Sequence, residues 1–128
     1  MQKLKNMRFL SIFSVILFAS CFQQERNCQD FRTGTFKSQA IVGDKVLETT
    51  FIRTDNIEID IFEGVADTSS VRWLNDCEYI VTKLNPKTKA DQKAVHIKIL
   101  TTQENSYIFE YNLVGGSQKE RSTAVRIE

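Results

Sequence analysis

Residues 95–114 read VHIKILTTQENSYIFEYNLV, in which two runs of alternating apolar and polar residues flank the polar triplet Gln103-Glu104-Asn105. Alternation with a period of two predicts a β-strand that has one apolar face. Because a connection this short joins neighbouring strands, Val95–Thr102 and Tyr107–Val114 are expected to pair as an antiparallel hairpin. The segment therefore favours an all-β fold built from sequential hairpins.

The same pattern continues on both sides of this hairpin. Ile57–Ile61 alternates three isoleucines with two acids, and clusters of turn residues separate the apolar runs. Asn75-Asp76 is expected to form a two-residue hairpin turn, and Lys87–Lys93 has room for one helical turn. The other expected strands are Thr33–Ile41, Val46–Arg53, Ile57–Ile61, Val71–Trp73, Cys77–Leu84 and Arg121–Ile127.

About eight antiparallel strands with short connections predict an up-and-down barrel or a curled sheet, with a lipocalin-like architecture. A β-sandwich is the alternative fold. The inward phase of the strands is expected to supply the core. The expected core residues are Phe36, Ile57, Ile59, Ile61, Val71, Trp73, Tyr79, Val81, Val95, Ile97, Ile99, Tyr107, Phe109, Tyr111, Val125 and Ile127.

Two short features resemble lipocalin-like barrels. Gly34-Thr35-Phe36 opens the first strand, as a Gly-x-Trp sequence does in that group, and Arg126 lies in the last strand. In lipocalins an arginine of the last strand covers that aromatic residue. The resemblance implies the architecture and does not identify a ligand.

The N-terminus has the three parts of a secretory signal. Lys3, Lys5 and Arg8 provide the positive end, and Phe9–Ala19 is an apolar core. This core is too short to cross a bilayer, which needs roughly 20 apolar residues. An ordinary cleaved signal remains the alternative.

The sequence that ends this segment, Phe18-Ala19-Ser20-Cys21, resembles the lipobox of bacterial lipoproteins, with Phe18 where leucine is usual. The resemblance implies that residues 1–20 are a helical signal peptide and that Cys21 is lipidated. Residues 21–30 would then be a lipidated tether, and residues 31–128 one β-barrel-like domain. Phe22 follows the cysteine in place of the aspartate that retains lipoproteins at the inner membrane. We therefore expect an outer-membrane protein anchored by lipid, on either face.

The two remaining cysteines, Cys28 and Cys77, are expected to form a disulfide, because export would place them in an oxidising compartment. Two free buried thiols are the alternative. Two cysteines and one distant histidine make a poor zinc site, so no metal or other cofactor is expected.

The charge balance argues against a nucleic-acid partner. The chain has 17 Lys and Arg against 16 Asp and Glu, and three of the bases lie in the signal, which leaves 14 bases and a net charge of −2. Nucleic-acid binding relies on clustered bases that neutralise phosphates. Lys87, Lys89 and Lys93 lie close together in the sequence, but one loop with three lysines is typical of a solvated surface.

Three segments together resemble a family of small uncharacterised envelope lipoproteins of Gram-negative bacteria, whose members often carry the label "DNA topoisomerase IV". The segments are CQDFRTGTF at residues 28–36, VRWLNDCEY at 71–79 and ILTTQENSYIFEY at 99–111. The resemblance covers nearly the whole expected mature chain and implies no activity or functional residue.

The chemistry of strand passage contradicts that label. The reaction needs a nucleophilic tyrosine in a basic pocket, an acidic magnesium cluster and a large protein gate. This chain is short, would be exported away from the chromosome, and places Tyr79, Tyr107 and Tyr111 in the inward phase of its strands. We interpret the label as an inherited misannotation.

Sites for catalysis or metal binding are weakly indicated. His96, the only histidine, lies in the outward phase of its strand, and no recognisable motif places a nucleophile near it. The acids Asp55, Glu58, Asp60 and Glu63 could suggest calcium or glycosidase chemistry, but the alternation predicts that Glu58 and Asp60 face water. The protein is therefore not expected to be an enzyme, and a small envelope hydrolase is the alternative.

Aromatic residues give the strongest indication of a site. Three of the expected inward residues are tyrosines, whose hydroxyls need hydrogen-bond partners when buried. A barrel of eight strands either fills its interior with side chains or holds one small ligand. The candidate cavity residues are Trp73, Tyr79, Tyr107, Phe109 and Tyr111.

The outward phase also contains apolar residues, namely Ile80, Leu84, Leu100 and Ile108. A contiguous patch of this kind would suggest a partner surface. We therefore expect a non-enzymatic binding or interaction module whose partners are the membrane, through its N-terminal lipid, and either a small apolar ligand or an envelope protein.

Overall fold

The computed structural model describes residues 26–128, and within them the chain closes into a barrel of eight antiparallel strands. Each strand pairs with its neighbour in the sequence, and the first pairs with the last. The predicted up-and-down barrel is confirmed, and the β-sandwich is excluded. The elements are a 3-10 helix at Cys28–Phe31 and β1 Gly34–Val42, β2 Lys45–Arg53, β3 Ile57–Phe62, β4 Val65–Asn75, β5 Glu78–Lys83, β6 Val95–Thr102, β7 Ser106–Leu113 and β8 Glu120–Arg126.

The two ends of the barrel differ. At one end, called the plug end, the 3-10 helix packs against the barrel interior, with Cys28 and Phe31 almost fully buried. The Phe31 ring lies 5.2 Å from the ring of Tyr107 and 6.3 Å from that of Phe36. The opposite end, called the open end, carries the β1–β2, β3–β4, β5–β6 and β7–β8 connections.

A disulfide fastens the plug to the barrel. Cys28 of the 3-10 helix is bonded to Cys77 in the β4–β5 turn, as predicted. The backbone N–H of Ile99 donates a hydrogen bond to the carbonyl oxygen of Cys77, which connects the turn to β6. The plug is therefore covalently held where two hairpins meet.

The barrel closes along a short seam between β1 and β8. Among the described residues, the two strands pair in register only from Phe36–Ser38 to Ala124–Arg126. Towards the open end the strands separate, and the hydroxyls of Ser38 and Ser122, 2.6 Å apart, form a hydrogen bond near the point of separation. The two strands are thus unpaired on this side of the open end.

Gly34 has a steric reason to be glycine. Its φ angle of +141° is rarely adopted by other residues, and a Cβ atom there would collide with the guanidinium of Arg126. That guanidinium lies 5.0 Å from the centre of the Phe36 ring and donates to the carbonyl oxygens of Thr33 and Asp30. Arg126 therefore covers the aromatic residue of the first strand, as the lipocalin resemblance implied.

The predicted inward phase of β3 is wrong. Glu58 and Asp60 point into the barrel, whereas Ile57, Ile59 and Ile61 lie on its outer face and are only half-buried. The register with β2 is the cause, because it sets Glu58 opposite Arg53 and Asp60 opposite Phe51, which are both inward residues. The predicted alternation is present in β3, but the acids and not the isoleucines occupy its inward phase.

Two further core predictions are wrong, one in β8 and one directly after it. Val125 and Ile127 are 46% and 45% exposed, whereas Ala124 is fully buried. Ala124 pairs with Ser38 on β1 and with Tyr107 on β7, so it occupies the inward position between two larger neighbours. A small side chain fits there because aromatic rings already fill the plug end.

Some element boundaries also differ from the prediction. β4 begins at Val65, because the turn before it contains only Glu63 and Gly64. The next turn falls at residues 76–77 and not at 75–76, since β4 continues through Asn75, whose side chain accepts a hydrogen bond from the backbone N–H of Cys77. The segment 87–93 forms turns without a helix.

The predicted signal peptide at residues 1–20, its helix and the predicted lipidation site Cys21 lie outside the described residues. Between residues 26 and 128, no helix is long and apolar enough to cross a membrane.

Candidate functional site

A buried arginine forms the centre of the plug end. Arg53, the last residue of β2, is 1% exposed. Its five N–H groups are matched by five hydrogen bonds, so the guanidinium has no donor left for another group. The acceptors are Glu58 Oε2 at 3.0 Å, the hydroxyls of Tyr79 at 2.7 Å and Tyr107 at 3.0 Å, and the carbonyl oxygens of Phe31 at 2.7 Å and Arg32 at 3.1 Å.

Aromatic rings surround the same guanidinium. Its carbon lies 4.8 Å from the ring centre of Tyr79 and 5.0 Å from that of Phe36, distances typical of cation–π contacts. Burial alone would lower the pKa of Arg53, but its neighbours Tyr79, Tyr107 and Glu58 hold that pKa above its usual value. Burial raises the pKa of both tyrosines, because it disfavours their ionised form. The Arg53 guanidinium is thus neutralised by Glu58 and fully hydrogen-bonded.

A cavity of about 330 Å³ lies between this cluster and the open end. Its two walls differ in chemistry. Strands β5, β6 and β7 form an apolar wall from Tyr79, Val81, Val95, Ile97, Phe109 and Tyr111. Strands β1, β2, β3 and β8 form the opposite wall, called the polar wall, from Ser38, Ala40, Thr49, Phe51, Glu58, Asp60 and Ser122.

The polar wall contains two carboxyl groups. Glu58 is 5% exposed and pairs with Arg53 below it, while Asp60 lies one step nearer the open end. Burial, followed by the neighbouring Glu58, raises the pKa of Asp60 from 3.8 to about 8. Asp60 is therefore largely protonated at neutral pH.

The mouth of the cavity has polar and apolar parts. The Tyr111 hydroxyl donates to Glu120 Oε2 at 3.0 Å across the β7–β8 pair. Ala40, Tyr111 and Ser122 also line a cleft along the outside of the seam, so the cavity and the seam share a wall. Exposed apolar residues ring the open end, namely Ile41, Val46, Phe62, Val65, Leu84, Leu113 and Val114.

The candidate cavity residues separate into two groups. Tyr79, Phe109 and Tyr111 line the cavity. Tyr107 is buried in the plug end as a partner of Arg53. Trp73 packs on Tyr79 at 4.5 Å beneath the Arg32 guanidinium, and its indole N–H is buried with no hydrogen-bond partner among the described residues.

The other candidate residues lie apart. His96 is on the outer face, with its Nε2 3.6 Å from Glu78 Oε1. Asp55 pairs with Arg32 outside the barrel, and Glu63 lies in the β3–β4 turn, so the four acids do not converge. In residues 26–128 no group of three or more acidic, histidine or cysteine side chains could hold a metal ion.

The predicted outward apolar residues are likewise spread over different parts of the barrel. Leu84 and Ile108 are 57% and 39% exposed, while Ile80 and Leu100 are half-buried. Leu84 follows β5 at the open end, and Ile108 lies in β7 opposite Thr123 of β8.

Sequence reasoning missed Arg53 and misplaced Asp60. A signal for both was present, because Phe51 and Arg53 share one phase of β2, so an inward phenylalanine requires an inward arginine. An inward arginine then requires a buried acid, which the neighbouring strand offers at Glu58 and Asp60.

Comparison with known proteins identifies no relative, since no family profile, curated protein or solved structure matches the chain.

Proposed function

We propose that this protein is a lipid-anchored lipoprotein of the cell envelope that binds a small, largely apolar ligand inside its barrel without transforming it. The observation that carries this proposal is the cavity between the plug and the open end. Binding sites for small molecules are concave, mostly apolar and supplied with a few convergent polar groups. The apolar wall and the polar wall supply these two elements.

The size and stiffness of the cavity define the kind of ligand. At about 330 Å³ the cavity is near the lower end of the usual range for ligand sites, which favours a small molecule over a long acyl chain. Its walls are paired strands and its floor is a hydrogen-bonded cluster. A site of this type is formed before the ligand arrives and loses little entropy on binding.

Blocking the cavity tests the proposal. Val81→Trp places a large ring in the cavity, whereas Ile80→Trp places the same ring on the outer face of the same strand. We expect the Val81→Trp chain to lose at least tenfold in affinity for the uncharged fluorescent probe N-phenyl-1-naphthylamine. Each chain should also carry Cys21→Ser, which removes the expected site of lipidation.

The Ile80→Trp control should bind the probe as the parent does. Native mass spectrometry of the parent should also show a small molecule that co-purifies, and the blocked variant should lack it. Failure of the parent to bind the probe, or unchanged binding in a folded Val81→Trp chain, would contradict the proposed function.

The cellular location has a separate basis and a separate test. The signal-like residues 1–20 and the lipobox-like sequence before Cys21 support export and lipidation, and a disulfide fits an oxidising compartment. We expect the native protein to begin at Cys21, to carry acyl mass and to fractionate with the outer membrane. Detection of Met1 on the native protein without acyl mass would refute this part of the proposal.

A further inference from the structure

We propose that the preferred ligand is a small apolar amine in its cationic form, whose ammonium group binds at Asp60 while its apolar body lies against the apolar wall. This inference rests on the proposed function and specifies the ligand of the same cavity. It follows from the charges, the rings and the protonation of the described residues.

The distribution of charge favours a cation over an anion. The carboxyl groups of Glu58 and Asp60 line the cavity, and no lysine or arginine of the described residues lines it. Arg53, directly below them, donates all five of its hydrogen bonds to protein acceptors, so it offers nothing to a ligand carboxylate. A fatty acid would therefore bring a third carboxyl group to two existing ones.

The acceptors of the polar wall also suit a group with several donors. Glu58 uses Oε2 to hold Arg53, and the Asp60 carboxyl and the Thr49 hydroxyl lie above it on the same wall. An ammonium group has three N–H donors and no acceptor. Hydrogen bonds between such a group and a carboxylate are shorter and about twice as strong as neutral ones.

Aromatic rings on the other side of the cavity can complete the site. Phe109 and Tyr111 lie next to one another on the apolar wall, with ring centres 5.8 Å apart. Ring faces attract cations and also pack against apolar groups. An amine attached to a short apolar body can therefore contact carboxyl groups at one end and rings at the other.

Protonation of Asp60 couples binding to pH. Asp60 faces Glu58 on its own strand and Asp67 across the β3–β4 pair, while the cations near it are Arg53 and Lys83. Lys83 is itself paired with Asp67 and Asp91, at 3.6 Å and 3.2 Å. The hydroxyls of the apolar wall are engaged elsewhere, that of Tyr79 with Arg53 and that of Tyr111 with Glu120. Asp60 thus keeps a proton in the empty cavity, and a bound ammonium replaces that proton, which passes to solvent.

Titration calorimetry with three matched probes tests the inference. The probes are 2-phenylethylamine, 2-phenylethanol and phenylacetate, which share a ring and differ in charge. At pH 8 we expect the amine to bind at least about tenfold more tightly than the alcohol, and phenylacetate to bind most weakly. Between pH 6 and pH 8 the affinity of the amine should rise by up to about tenfold per unit, and that of the alcohol should stay constant.

The variant Asp60→Asn separates charge from shape. It should reduce the preference for the amine over the alcohol to less than about threefold and abolish the pH dependence of amine binding. The control Asp55→Asn makes the same substitution in the β2–β3 connection and should change none of these values.

The outcomes distinguish this inference from the proposed function. If N-phenyl-1-naphthylamine binds in the cavity but the amine shows no preference over the alcohol, or Asp60→Asn leaves the preference intact, the ligand class is wrong and the binding function stands. If neither the uncharged probe nor the amine binds, both are overturned.

Discussion

The buried guanidinium at the plug end of the barrel is matched by its partners, whereas the carboxyl group of Asp60 nearer the open end is not. At the plug end one guanidinium meets five acceptors, and its charge is balanced by Glu58. Nearer the open end Asp60 adjoins a second carboxyl group, and its pKa is raised to about 8. A buried charge that is fully matched stabilises one structure, whereas a mismatched group is a place where a ligand can supply what is absent. The two ends therefore divide stability and binding between them.

The strongest test of this division is the loss of the central cation. Arg53→Leu would leave Glu58, two tyrosine hydroxyls and two carbonyl oxygens buried without their donor. We expect the free energy of unfolding to fall by about 5 kcal/mol, since breaking a buried ion pair from one side costs several kcal/mol. Urea denaturation followed by circular dichroism measures it.

The control for this variant is Arg72→Leu, which makes the same change on the exposed face of β4. Its stability should stay within about 0.5 kcal/mol of the parent. Equal effects of the two substitutions would show that the guanidinium of Arg53 does not hold the plug end together.

Removing the disulfide should have the next largest effect. The bond joins residues separated by 49 positions, and loop closure of this length is worth about 4 kcal/mol in the chain-entropy model. The free energy of unfolding of the double variant Cys28→Ala/Cys77→Ala should be lower by about that much. That of the parent should fall by a similar amount when its disulfide is reduced.

Hydrogen exchange can locate the effect of this variant. The amides of residues 28–32 should lose protection before those of β3, because the plug is then held without its covalent bond. A uniform loss of protection over both ends of the barrel would contradict the separation of the two regions.

The effect of Asp60 differs from these two because it depends on pH. The pKa of Asp60 rises from its ordinary value of 3.8 to about 8 in the folded protein. The folded state therefore binds the proton more tightly than the unfolded state does. Its contribution therefore favours folding below about pH 4 and is lost as the pH rises towards 8. The limiting slope is about 1.4 kcal/mol per pH unit.

Asp60→Asn removes this titration. The stability of the variant relative to the parent should increase from pH 4 to pH 8 and then level off, as measured by urea denaturation at each pH. Asp55→Asn serves again as the control and should show no such trend. A difference that decreases with pH would mean that Asp60 is ionised within a favourable pair.

Most of the fold could be predicted from the sequence because local alternation determines where strands lie. The hairpin of β6 and β7 is an example, since Val95–Thr102 occurs as predicted and β7 is shifted by one residue at each end. Short connections then leave few ways to pair eight strands. The disulfide was predictable because Cys28 and Cys77 are the two cysteines left once Cys21 is set aside as the expected lipidation site.

The site was harder to predict, because period-two alternation does not say which phase is inside. Ile57, Ile59 and Ile61 look like core residues, but they face outward because the register sets Glu58 opposite Arg53. That pairing depends on residues from two strands and cannot be read from either alone. The alternation of single strands is enough to place Tyr79, Phe109 and Tyr111 in the apolar wall, whereas the polar wall depends on the register.

The position of Cys28 has a geometric consequence for the orientation of the barrel. If lipid is attached at Cys21, the seven residues to Cys28 reach at most about 25 Å, and Cys28 is fixed to the plug. The plug would then lie next to the bilayer, and the mouth with its apolar rim would turn towards the aqueous space. A ligand would be exchanged with molecules in that space or with a second protein docked there, and not drawn directly from the anchoring leaflet.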